Sequence, residues 1–192
     1  MKQVTRCNWC LKDQLYIDYH DQEWGNIKHD DATHFEYLVL ESAQAGLSWH
    51  TVLRKRENYR KAYLGFDPKK VAKFSKAKVE QLLKNEGLIR NRLKIEASVN
   101  NAKLFLKLQA EFGSFDKYLW GFVNNKQIVY YPQTLKDLKP KNEVSDLIAN
   151  DLKKRGFKFL GSTIIYAHLQ AVGIIDEHLV SCFKKKKVKV FK

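Results

Sequence analysis

Apolar side chains recur at helical spacing along most of this chain, and the elements they predict are nearly all helices. In HFEYLVLESAQ, residues 34–44, Phe35, Leu38 and Val39 fall on one face, with Glu41 at the edge of that stripe. Asp31 or Thr33 would cap its start. The run SWHTVLRKRENYRKAYLGF, 48–66, predicts a second helix, ended by Gly65 and Pro68. More helices are predicted from Lys76 to Lys84, through LKIEASVNNAKLFLKLQAEFG beyond the break NEGLIRN, and in VSDLIANDLKKRG and STIIYAHLQAVG. The stretch from VTRCNWC to LYIDYH predicts ordered loop with a helical turn. After FDKYLWGFVNN, the segment KQIVYYP is the one extended piece, because its residues are β-branched and aromatic. The expected class is all-α. There is no internal repeat and no Pro- or Ser-rich linker, so a single domain is expected over 1–183. The tail KKKKVKVFK, 184–192, is a charge run expected to be mobile, either a solubility device or an arm for phosphates.

Charge narrows the partners. Among 192 residues, Lys and Arg number 35 against 21 Asp and Glu, a formal net charge of +14. A field of that sign attracts polyanions, with nucleic acid ahead of an acidic membrane surface. No segment has the roughly 18 uninterrupted apolar residues of a membrane span. The start, MKQVTRCNWC, lacks the apolar core of a secretory signal, and three cysteines cannot all pair. A cytoplasmic, monomeric chain is expected.

Residues 19–49 hold the densest chemistry. Tyr19, Trp24, Tyr37 and Trp49 surround one carboxylate, Glu41, in an otherwise apolar stretch. Ring faces stack on a flat ligand and attract it further if it is cationic. A carboxylate accepts hydrogen bonds from amino groups and offsets positive charge. Together they point to a damaged nucleobase.

Two turns are candidates for the DNA backbone. QLLKNEGLIRNRLKI reads as helix, tight turn at Gly87, helix, with Arg90, Arg92 and Lys94 nearby. Such a hairpin can aim N–H groups and a helix N-terminus at a phosphate, or be an ordinary helical hairpin with a glycine cap. LKKRGFKF, 152–159, poses the same choice around Gly156, where the cations also suit a helix C-terminus.

A metal site is the third element. His178 and Cys182 are four apart, the spacing of one helix face, and suit two ligands of one Zn²⁺. Cys7, Cys10 and His20 offer the other pair, either as a Cys7–Cys10 knuckle or as Cys7 with His20.

The blocks RCNW, YHDQEWG, FEYLVLESAQAGLSW, VLRKRENYRKAY, LKKRGFKFLG and LQAVGIIDEH, in this order from Arg6 to Cys182, resemble the DNA-3-methyladenine glycosylase I family. That family is a branch of the helix-hairpin-helix DNA glycosylases. The resemblance implies a compact two-lobed helical fold that flips out 3-methyladenine in double-stranded DNA and releases it as the free base. It implies Glu41 as the base-reading carboxylate, Trp9, Tyr16, Tyr19 and Trp49 as the pocket aromatics, and Gly46 and Leu47 as the plug in the vacated stack. Gly87 and Arg90 join these as DNA contacts. It further implies one structural zinc held by Cys7, His20, His178 and Cys182, with Cys10 outside the set. No aspartate is assigned a catalytic role, and no lysine stands out as a Schiff-base nucleophile. The competing classes are an inactive zinc-stabilised DNA-binding module and an enzyme of free purine nucleosides. The intact Glu41 and aromatic set argue against the first, the charge against the second.

Overall fold

The structure, a computed structural model, describes residues 4–185. At its centre lies α2 (Asp31–Gln44), which buries nine of its side chains from His34 to Ala43 and packs against the helices at Trp49–Leu53, Arg92–Phe112, Phe115–Gly121 and Ser162–Ala171. Asp30, rather than Asp31 or Thr33, caps it by accepting the Thr33 N–H at 2.7 Å. Asp31 is used elsewhere, because its carboxylate accepts the N–H groups of Phe115 and Asp116 at 2.9 Å and so caps the helix that starts there.

The run 48–66 is not one helix. It divides into α3 (Trp49–Leu53), α4 (Arg56–Ala62) and a 3₁₀ turn at Leu64–Phe66. The reason is visible in the burial. Trp49, Val52 and Leu53 form one apolar face, but Arg56 and Glu57 stand where that face would continue, and the next buried rings are Tyr59 and Tyr63. Breaking the helix turns both faces inward. Gly65 takes a positive φ of 71° in the closing turn.

Beyond it come α5 (Pro68–Val71), α6 (Lys76–Leu83), the long α7 (Arg92–Phe112) and α8 (Phe115–Gly121). The pair α9 (Glu143–Lys154) and α10 (Ser162–Ala171) packs closely, with Gly156 in the left-handed region just past α9. The extended piece KQIVYYP supplies β1 (Ile128–Val129), which runs parallel to β2 (Ile175–Asp176).

At the N-terminal end, residues 14–22 form α1 (Gln14–Gln22), longer than the helical turn expected, because Asp13 caps it through the Tyr16 N–H. At the other end, residues 177–185 are not helical. The expectation that His178 and Cys182 share a helix face is therefore wrong. The Asp176 carboxylate accepts both the N–H and the Nδ1–H of His178, at 3.1 and 2.9 Å, and folds the chain into turns instead. Lys184 and Lys185, the first residues of the expected tail, are held in place. The Lys184 ammonium donates to the carbonyls of His20 and Trp24, and Lys185 pairs with Asp176 at 3.3 Å. Residues 186–192 lie outside the described residues.

Candidate active site

Glu41 lies in the last turns of α2, 2% exposed, at the floor of a cavity of about 320 Å³. Trp9, Tyr16, Tyr19, Trp24 and Trp49 form its aromatic walls, Gln44, Ala167 and Gln170 add to the floor, and Leu135 and Leu138 close one side. The N-terminal segment delivers three of these rings. Tyr16 and Tyr19 are three apart on α1 and so share a face, with Trp9 tilted against Tyr16 at 5.0 Å between centroids. Tyr37 is not in the wall; it stacks behind Trp49 at 6.1 Å, and its hydroxyl donates to Glu23.

The electrostatics are unusual for a buried acid. Glu41 Oε2 has no hydrogen-bond partner among the described residues, and neither does Trp49 Nε1. Burial pushes the Glu41 carboxyl up to about 8, with no cation to offset it. The cavity thus presents an unpaired acceptor inside electron-rich ring faces. A cation with amino groups is the ligand that satisfies both.

The expected plug residues stand at the rim. Gly46 has φ +79° with open space where a Cβ would be, and Leu47 is 43% exposed, so it is not core. The Lys94 ammonium holds their loop by donating to Ala43 O at 2.9 Å and Ala45 O at 2.6 Å.

The turn at Gly87 is closed upon itself. Asn85 Oδ1 accepts the Gly87 N–H at 2.8 Å and the Tyr59 hydroxyl oxygen accepts that of Ile89 at 3.1 Å. Arg90 lies 3.7 Å from Glu86, and Arg92 forms two hydrogen bonds with Glu80. Gly87 is required there because a Cβ would meet the Asn58 side chain at 2.8 Å. The Gly87 and Ile89 N–H groups, Arg92 and Lys94 are thus engaged within the protein, while Arg90 remains exposed. The situation at α10 differs: Gly161 starts the helix with no side-chain cap, and every other helix of eight or more residues among those described has one. Lys153, Lys154 and Lys158 are exposed beside that end.

Cys7, His20 and Cys182 come together behind the aromatic wall, with ligand atoms all within 4.8 Å of one another. The Cys182 thiol is held below its ordinary value by the neighbouring Cys7 thiol, with His20 Nε2 3.5 Å away adding to the effect. The His20 ring is anchored through Nδ1 to Asp21 at 2.7 Å, and Asp21 is in turn gripped by Arg6. His178 is anchored in the same way to Asp176, and its Nε2 is buried without a partner, with the ring 5.3 Å from that of His20. Gly25, at φ +76°, makes room for this ring, since a Cβ there would lie 2.4 Å from it. Cys10 faces away, donating its thiol to Cys7 O at 3.1 Å.

The model of the methyladenine glycosylase family matches residues 9–185 of this chain. The chain belongs to that family. This glycosylase is 47% identical to the DNA-3-methyladenine glycosylase of Haemophilus influenzae over 93% of its own length and 97% of that protein's. It is 45% identical to DNA-3-methyladenine glycosylase 1 of Escherichia coli, covering 93% of this chain and 96% of the relative. The solved structure of 3-methyladenine DNA glycosylase I from Staphylococcus aureus, described for its recognition of 3-methyladenine, superposes with a TM-score of 0.91 at 38% identity, over 96% of this glycosylase and 98% of that chain.

Several cavity residues of the glycosylase carry little sequence signal. Leu135 and Leu138 come from an irregular loop. Gln170 is more legible, as a carboxamide within the apolar run STIIYAHLQAVG, where a polar group needs a partner or a purpose.

Proposed function

We propose that this protein is a base-excision repair glycosylase that flips 3-methyladenine out of alkylated double-stranded DNA and hydrolyses its N-glycosidic bond, leaving an abasic site. The observation that carries the reading is the buried, unpartnered Glu41 carboxyl within the aromatic cage. Methylation at N3 makes adenine cationic and a good leaving group. The cation lowers the carboxyl's affinity for its proton on arrival, so the Glu41 carboxylate pairs with the base while Trp and Tyr faces stack on it. As the C1′–N9 bond breaks, its electron pair leaves with the base and neutralises it, and water bonds to C1′ through its oxygen and releases a proton to solvent. No acid is needed to protonate the base. Among the described residues no lysine lines the cavity, which supports a glycosylase without strand cleavage. Asp176 has no part in the chemistry, because it is committed to His178 and Lys185.

Leu47 at the rim serves as the wedge that fills the gap in the stack, offsetting part of the few kcal/mol that unstacking costs. For the backbone phosphate, the uncapped N-terminus of α10 is the better anchor than the closed turn at Gly87, and α9–Gly156–α10 is the helix-hairpin-helix element. One zinc ion would be held by the clustered Cys7, His20 and Cys182, with His178, outside that cluster but with an orphaned Nε2, as the fourth ligand: two thiols and two imidazoles fixed by carboxylates. With four protein ligands the ion would be structural, tying the two chain ends together behind the cavity.

The deciding experiment is incubation with methylated duplex DNA. Release of 3-methyladenine with little 7-methylguanine is expected, and equal release of both would overturn a pocket selective for this cation. Affinity should also fall linearly in log–log plots against salt, with Lys158→Ala lowering the slope by about one contact. A slope unchanged by this substitution would move the phosphate contact away from α10.

A further inference from the structure

One polar residue of the cavity is oriented from behind. Ala167 and Gln170, three apart on α10, both face the cavity. Gln170 Nε2 donates to Glu177 Oε2 at 2.5 Å. A carboxylate offers only acceptors, so the amide nitrogen is turned toward Glu177 and commits one of its two N–H groups there, which holds the amide oxygen on the side away from Glu177. Glu177 is itself 4% exposed, and the Tyr166 hydroxyl and the Lys139 backbone N–H also face its carboxylate. Lys139 directly follows Leu138, which closes the side of the cavity. One buried acid therefore links the floor to the apolar wall, and it fixes which way the Gln170 amide is turned.

We propose that Gln170, held in one amide orientation by Glu177, is a specificity-determining residue that favours 6-amino over 6-oxo purines in the cavity. The inference rests on the base-excision reading above and refines it. An adenine-type cation carries two N–H donors on its 6-amino group, and the cavity then offers two acceptors, Glu41 Oε2 and Gln170 Oε1. A guanine-type base, methylated at the same N3 and equally cationic, turns a carbonyl oxygen toward those acceptors. Glu41 can meet that oxygen only by keeping its proton, which forfeits its charge on the cation, and Gln170 Oε1 stays unpaired; buried groups left unpaired are the most effective basis for rejecting an analogue. Charge and stacking alone do not separate these two lesions, since both are flat cations. Glu177 acts as a positioning residue: without it the amide is free to rotate and offer its NH₂ to a carbonyl.

The test compares single-turnover release of 3-methyladenine and 3-methylguanine from one methylated duplex. Gln170→Met keeps the length of the side chain and removes the acceptor. It should slow 3-methyladenine release by about tenfold and change 3-methylguanine release by less than about threefold, so the ratio of the two rates narrows. Glu177→Gln leaves the side chain one acceptor oxygen and aims an NH₂ at groups that also donate; it should narrow the ratio in the same direction. Combined with Gln170→Met it should add nothing further. Equal slowing of both lesions by Gln170→Met, or an unchanged ratio, would overturn the proposal, and multiplicative effects in the double variant would overturn the role of Glu177. A wild-type protein that released neither base would instead defeat the base-excision reading, so the two failures are distinguishable. Thermal melts of each variant separate a changed ratio from a loss of folded protein.

Discussion

Replacing Glu41 with glutamine is expected to slow 3-methyladenine release by about a hundredfold and to make the protein harder to unfold at alkaline pH. The first effect follows from removing the charged half of a buried ion pair with the base, a loss of a few kcal/mol. The second follows from burial. Folded Glu41 holds its proton up to about pH 8, whereas the same side chain in the unfolded chain releases it near 4.5. Between these values the folded state binds more protons, so rising pH favours unfolding. The stability contribution of this group is thus intact below about 4.5 and lost as pH rises through about 8. A neutral amide has no such dependence. Melting curves of wild type and Glu41→Gln should nearly coincide at the acidic end and separate toward pH 9, the variant melting higher by an amount on the order of a few kcal/mol. Wild-type excision by the variant would remove Glu41 from the site, and parallel melting curves would show that its carboxyl is solvated in the folded protein.

The second large effect concerns the chain ends. Cys182→Ser is expected to abolish zinc binding, measured by elemental analysis of the purified protein, and to lower the melting temperature steeply. Binding free energy of a structural zinc is folding free energy, about 10 kcal/mol or more in small zinc domains, and part of it survives in a larger core. His178→Ala should do the same, because it removes the orphaned Nε2. Cys10→Ser should keep the metal, since that thiol is turned toward the Cys7 carbonyl. If Cys10→Ser loses zinc while His20→Ala keeps it, the ligands are those of a Cys7–Cys10 knuckle instead.

How legible these features were depended on how local their causes are. The stripe of α2, the lengths of α7, α9 and α10, and the extended piece at 126–132 follow from spacing and β-branching, so they were readable. Glu41 with Tyr19, Trp24 and Trp49 was readable too, because a carboxylate among aromatics in an apolar run has few structural uses, whereas Tyr37 falls behind Trp49 and Trp9 and Tyr16 were reached only through the family resemblance. The breaks were harder. Arg56 and Glu57 interrupt the apolar face of 48–66, a local signal that a count of helix formers overrides. The non-helical path of 177–185 depends on the Asp176 side chain capturing His178, a competition that spacing alone does not reveal. The closure of the Gly87 turn was invisible, since it depends on Tyr59 and Asn58 from α4. Gln170 and Leu138 gain meaning only when Glu177 brings their segments together.

The joining of the chain ends also bears on when the aromatic wall closes. His20 and Cys182 meet across a separation of 162 residues, and Trp9, Tyr16 and Tyr19 sit on the segment they tether. That segment also packs on α3, through Asp13 with His50 and Tyr19 with Trp49, so its near anchor can form early while its far anchor waits for residue 182. Without the contact to residue 182, the aromatic wall has one anchor instead of two. Full closure of the wall thus depends on a contact among the longest-range and slowest to close in the molecule.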